Sequence, residues 1–138
     1  MTTATPFLMF HGTAEAAMHL YQVTLPGSRI VSIERHGPSF GEHSEKVRLA
    51  KFEVCGQTFL CSDSTIAHNF TFTPSSSIFV DCDTPQEQER IFSALAEGGV
   101  VLMPLDDYGF SQRFGWLNDR FGVSWQINLP YAREVPGS

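Results

Sequence analysis

Basic residues are scarce in this sequence. Nine lysines and arginines stand against 15 aspartates and glutamates, a formal charge of -6 over 138 residues. Nucleic-acid binding draws most of its affinity from a basic surface, so the composition speaks against a nucleic-acid partner. Cysteine is sparse as well. Cys55, Cys61 and Cys82 are odd in number and form no C-x-x-C pair, which points away from a disulfide framework or zinc site and toward reduced cytoplasmic thiols. No apolar run approaches the roughly 20 residues that cross a bilayer, so no membrane partner is expected. Residues 1–6 carry no basic n-region and no apolar stretch of a secretory signal. Hydrophobic residues make up 42% of the chain, including 12 phenylalanines, and charged residues 17%, values of a globular domain rather than a disordered one. A chain of this length suits one domain with a proper core.

The apolar residues are arranged as a strand, a helix and several strands, occurring twice. Residues 7–10 read as a short buried strand. Thr13 is placed to cap a helix over 14–23, with Ala17, Leu20 and Tyr21 on one face, and Pro26-Gly27 stops it. Strands follow at 29–34, 47–54 and 58–61, with a loop at 36–45 and a hairpin turn at Gly56. Residues 63–76 form the connection to a second unit. That unit opens with a strand at 77–81. Thr84, Pro85 and Glu87 form a helix start with a capping box, Ile91, Phe92 and Leu95 supply the apolar face, and Gly98-Gly99 ends the helix. Strands at 100–105, 112–117 and 123–129 complete it, and 131–138 reads as a tail. An offset of 71 places Thr84 on Thr13, Phe92 on Tyr21 and Gly98 on Gly27, a weak internal repeat. The expected fold is α+β: tandem βαβββ units, residues 5–62 and 77–130 of a single domain over 1–138. They place eight strands in a curved sheet with helices on its outer face, and the inner face forms a cup suited to a small ligand.

Two stretches carry a family resemblance. Pro6-Phe7-Leu8-Met9-Phe10, with Ala14-Glu15-Ala16-Ala17 and Tyr21, resembles the opening of PhnB-like proteins. The segment from Gly115-Trp116-Leu117-Asn118-Asp119-Arg120 through Phe121-Gly122-Val123-Ser124-Trp125-Gln126-Ile127 is similar to the closing motif of the family called 3-demethylubiquinone-9 3-methyltransferase. That family sits in the vicinal oxygen chelate superfamily, with glyoxalase I and the bleomycin and fosfomycin resistance proteins. The resemblance spans residues 5–130 and implies the glyoxalase/bleomycin resistance fold, a cup-shaped site and a homodimer. Metal-dependent members take ligands from four strand positions, which the resemblance carries to Pro6, Leu60, Ser77 and Gln126. Pro6 and Leu60 have no donor, Ser77 is a poor ligand and Gln126 offers a neutral carbonyl, whereas these metals need imidazole or carboxylate. A Rossmann methyltransferase needs a Gly-rich loop between a strand and a helix, and Gly98-Gly99 follows a helix instead. Neither metal nor cofactor is expected.

The expected ligand-binding residues are Leu8, Phe10, Leu60, Phe79, Phe114 and Trp116 as apolar walls, with Ser77 and Gln126 orienting the ligand. Trp125 alternates with Gln126 and belongs to the core. Gly37-Pro38-Ser39-Phe40-Gly41 matches a nucleophile elbow in letters, but a strand rather than a helix is expected after it. His36 and His43, with Glu42 and Glu45, lie in one loop, His11 follows the first strand, and His19 and His68 read as surface residues. Cys61 and Cys82 read as buried thiols, with Cys82 near a helix start. Asp81 reads as a residue at the cup edge, and Asp106, Asp107 and Tyr108 as a solvated turn. The leading expectation is a small-molecule-binding protein of the PhnB-like branch. The alternatives are a metal-dependent enzyme with ligands from His11, His36 or His43, and a structural dimer whose cup is filled.

Overall fold

The computed structural model describes residues 1–132, so the end of the expected tail lies outside the described residues. The chain divides into two compact units, the first over Met1–Asn69 and the second from Phe70 onward. In the first, β1 (Phe7–Phe10) leads to α1 (Ala14–Thr24), β2 (Arg29–Arg35), β3 (Val47–Val54) and β4 (Gln57–Asp63). In the second, β5 (Ser77–Asp81) leads to α2 (Pro85–Ala96), β6 (Val100–Asp106), β7 (Arg113–Asn118) and β8 (Ser124–Leu129). All eight expected strands are present. They pair as two sheets of four with the same topology, β1-β4-β3-β2 and β5-β8-β7-β6, so the backbone ladders run within each unit. In each sheet the first strand lies parallel to the last, and the other pairs are antiparallel.

Strand alternation decides which residues meet the helix. In the first unit Ala50, Phe52 and Val54 of β3 and Phe59 and Cys61 of β4 are buried. Ala14, Ala17, Met18 and Tyr21 of α1 are buried with them, and the Tyr21 and Phe52 rings lie 6.3 Å apart. Met18 takes the place expected of Leu20, which is half-buried. Val54 pairs with Gln57 across a two-residue turn in which Cys55 (φ 50) and Gly56 (φ 83) both have positive φ, the conformation favoured by the twist of a hairpin.

The two helix starts differ. Thr84 Oγ1 accepts the Glu87 N–H at 3.1 Å, and Glu87 Oε1 accepts the Asp83 N–H at 3.1 Å, so the expected cap is present with its return bond one residue earlier. Thr13 makes no side-chain cap. Asp63, at the end of β4, does that work from 49 residues away: its Oδ1 accepts the N–H of Ala14 at 3.0 Å and of Gly12 at 2.8 Å. Its Oδ2 accepts the Val47 N–H at 3.0 Å.

In the second unit Gln88 of α2 is fully buried. Its amide donates to the carbonyls of Arg113 and Ile127 and accepts from Arg113 Nε at 2.7 Å, which ties α2 to β7 and β8. Gly115 of β7 is a packing requirement: a Cβ there would stand 2.5 Å from the Phe92 ring and 2.8 Å from Leu105. Its absence lets α2 sit close on the sheet.

Candidate functional site

The register of the second sheet sorts its side chains into two sets. Val80, Leu117, Trp125, Ile127 and Leu129 are buried, on the face that α2 covers. The opposite face carries Ser77, Phe79 and Asp81 of β5, Ser124, Gln126 and Asn128 of β8, and Phe114, Trp116 and Asn118 of β7, since Phe79 and Trp116 both pair with Gln126. Phe114 is the aromatic centre. Phe79, Tyr108 and Phe110 lie around it with ring centroids at 6.4, 6.1 and 5.1 Å. Phe79 and Phe110 are more than half exposed (53% and 57%), so these rings form a surface that water reaches. Tyr108 is anchored by its hydroxyl, which donates to the Pro104 carbonyl at 2.7 Å.

A polar line runs beside the rings. Trp116 Nε1 donates to Ser124 Oγ at 2.8 Å, and Ser124 Oγ lies 2.7 Å from Ser77 Oγ. Asn128 Nδ2 donates to Asp81 Oδ1 at 2.9 Å. The side-chain oxygens of Asn118 and Asn128 are buried without a hydrogen-bond partner among the described residues. An orphaned buried acceptor is costly and calls for an explanation. Sequence reasoning missed Asn118 and Asn128, although each lies two residues from an expected ligand residue, Trp116 or Gln126, and so shares its face.

Five of the eight expected ligand residues, Ser77, Phe79, Phe114, Trp116 and Gln126, therefore share one face of one sheet. The three from the first unit divide. Leu60 pairs with Phe7, whereas Leu8 pairs with Cys61 and Phe10 with Asp63. Cys61, Asp63 and Phe10 are buried, Phe10 at 1% exposure. Leu8 and Phe10 thus lie on the helix-covered face of the first sheet, and Leu60 on the other.

The closing motif is a structural device. Asp119 is buried, its Oδ1 accepts the N–H groups of Phe121 and Val123, and its Oδ2 accepts Trp125 Nε1 at 2.9 Å. One carboxylate therefore shapes the β7–β8 turn and seats the core tryptophan, which leaves Gln126 and Trp116 facing the other way.

Other candidates separate by place. Ser39 lies in an exposed 3-10 turn, Pro38–His43, with β3 following, so the strand-helix setting of an elbow is absent there. His36 Nε2 bonds the Asp63 carbonyl at 2.9 Å, and His43 lies 3.5 Å from Glu42. His11 and His43 line one cleft of the first unit, apart from His36. Burial, followed by the Asp63 charge, pushes the Cys61 thiol up to about 12, and Cys82 is buried too. Hydrogen bonding to Arg35 holds Glu15 below the usual carboxylate range.

A vicinal oxygen chelate metal would require donors at the four strand positions. Pro6 gives its carbonyl to the Leu60 N–H, Leu60 has no donor atom, and Ser77 Oγ is engaged with Ser124. This set does not fit a divalent ion. Among the described residues, no group of three or more His, Cys, Asp or Glu is placed to hold one.

The model of the 3-demethylubiquinone-9 3-methyltransferase family matches residues 2–128. The chain belongs to that family. Among relatives of this 3-demethylubiquinone-9 3-methyltransferase family member, the protein YjdN of Escherichia coli K12 is 28% identical and is covered over 92% of its length, with 90% of this chain. A PhnB protein from Bacillus cereus is 47% identical, with a TM-score of 0.85 over 93% of this chain and 99% of that one. A glyoxylase/bleomycin resistance protein/dioxygenase domain from Frankia, 10% identical with a TM-score of 0.66 over 94% and 98% of the two chains, shares the fold alone. These likenesses place the chain among the PhnB-like proteins, with the fold of the glyoxalase/bleomycin resistance proteins. The family's name implies a methyl donor such as S-adenosylmethionine, but neither strand-helix junction fits a Rossmann site. Residues 11–13 hold one glycine and residues 82–84 none.

Proposed function

We propose that this PhnB-like protein binds a small, planar, partly apolar molecule on the open face of its second sheet, without the metal of its superfamily. One observation carries the reading: Phe79, Phe114, Trp116, Gln126 and the serine pair share a face that is aromatic, partly exposed and polar along one line. Aromatic walls remove a flat ligand from water, and a few fixed polar groups set its orientation. Gln126, whose side chain makes no hydrogen bond among the described residues, offers both a donor and an acceptor. The donor-poor strand positions support binding without a metal. The family likeness supports the further reading of one domain spanning both units, acting as a cytoplasmic homodimer, with the oligomer read by sedimentation.

The test is a thermal-shift screen of the EDTA-dialysed protein against planar quinols, amino-sugar antibiotics and 2-oxo acids. A hit is expected whose affinity falls roughly tenfold in Trp116→Ala and Gln126→Leu, a loss of about 1.4 kcal/mol. If nothing shifts the melt, the aromatic face is structural packing and the reading fails. If ligands bind only with added zinc or nickel, the metal-free reading fails.

A further inference from the structure

The first unit holds a cleft that binding at the second sheet leaves without a role. It measures about 390 Å³ and is walled by three separate segments. His11 and Thr13 come from the β1–α1 junction, His43 and Lys46 from the connection between β2 and β3, and Ser64 and Thr65 from the chain after β4. No carboxylate lines it, in a chain whose net charge is -6. An adjoining cleft of about 230 Å³ shares Gly12 and Lys46 but is lined by Glu15, Glu45, Asp63 and Arg35. There the charges answer one another: Arg35 binds Glu15 through two bonds of 3.0 and 3.1 Å, and Asp63 is consumed by backbone N–H groups.

The larger cleft has donors to spare. Lys46 Nζ donates to the Gly12 carbonyl at 3.0 Å and makes no ion pair among the described residues. Thr13 makes no side-chain cap on α1 and lines the cleft. The third wall is fixed: Ser64 Oγ accepts the Ile66 N–H at 3.2 Å and lies 2.9 Å from His68 Nε2, whose ring stands edge-on to His11 at 5.5 Å.

We propose that this cleft binds a tetrahedral oxyanion, the phosphate group of a small molecule. Lys46 supplies the charge, as a lysine does at phosphate sites, and His11, His43 and Thr13 supply directional bonds. Four donor side chains on two facing segments, one of them a cation, suit a group with three free oxygens better than a flat carboxylate with two. The site is independent of the aromatic face and stands or falls without it.

The test is calorimetric titration of the full chain, in a low-salt buffer free of phosphate, with inorganic phosphate, phenyl phosphate and acetate. One phosphate-class ligand per chain is expected, bound at least tenfold more tightly than acetate. Tighter phenyl phosphate assigns the site to a phosphate monoester, and equal affinity to the free anion. Lys46→Gln is expected to weaken binding at least tenfold. Arg35→Gln, which removes the same charge from the neighbouring cleft, should weaken it less than threefold. His43→Asn is the second variant should Lys46→Gln fold poorly, with a loss of at least threefold. No saturable heat, equal loss in Lys46→Gln and Arg35→Gln, or acetate binding as tightly as phosphate would overturn the proposal.

Discussion

Asp63 joins three pieces of the first unit through one side chain. Its carboxylate accepts the N–H groups of Gly12, Ala14 and Val47, and its carbonyl meets His36. Asp63→Ala would orphan buried donors at the start of α1 and of β3. Each such loss costs on the order of 1–3 kcal/mol, so destabilisation by roughly 3 kcal/mol or more is expected in urea unfolding. A loss below about 1 kcal/mol would show that water replaces the carboxylate. Cys61 gives a pH signature. Its thiol stays neutral in the fold up to about 12, whereas an ordinary thiol ionises near 9.0. Below that ordinary value both states keep the proton and stability is unaffected. Above it the unfolded chain releases the proton and the folded chain does not, so stability falls as pH rises from about 9 toward 12. Denaturant midpoints across that range should decline less steeply in Cys61→Ala than in the parent. Equal slopes would place the Cys61 thiol at an ordinary value.

The two helices test what local sequence can say. Thr84→Ala should cost about 1 kcal/mol, the worth of a hydroxyl cap, whereas Thr13→Ala should cost a few tenths at most, since Thr13 caps nothing. Urea midpoints of the two variants check this, and equal losses would contradict it. The α2 start was legible because Thr84, Pro85 and Glu87 are neighbours in the chain. The α1 start was misread because its cap arrives from β4, and spacing within one segment cannot register a partner 49 residues away. Strand faces followed the same rule. Alternation along β7 and β8 put Trp116 and Gln126 on one side and Trp125 on the other, as the structure has them. The short, apolar β1 has no such contrast between its faces. Only its parallel pairing with β4, a long-range fact, shows Leu8 and Phe10 turned to the helix. Gln88 stayed hidden for a related reason: a glutamine in a polar first turn reads as solvated until Arg113 is seen beside it.

At the scale of the whole chain, the duplication was visible in the offset between the helices, and the structure shows one topology written twice. The halves have diverged in chemistry. The second sheet's open face gathers rings and carboxamides, while the first unit gathers lysine and imidazoles at the start of its helix. The family likeness accounts for the architecture and leaves the chemistry to individual side chains. Ligand binding at the aromatic face is most directly tested by tryptophan emission of the EDTA-dialysed protein during titration with a screened planar ligand. Trp125 is sealed beneath α2, so Trp116 is the ring within reach. Saturable quenching in the parent, absent in a folded Trp116→Phe variant, is the expected result. Unchanged emission with every ligand, or quenching that persists in Trp116→Phe, would contradict it.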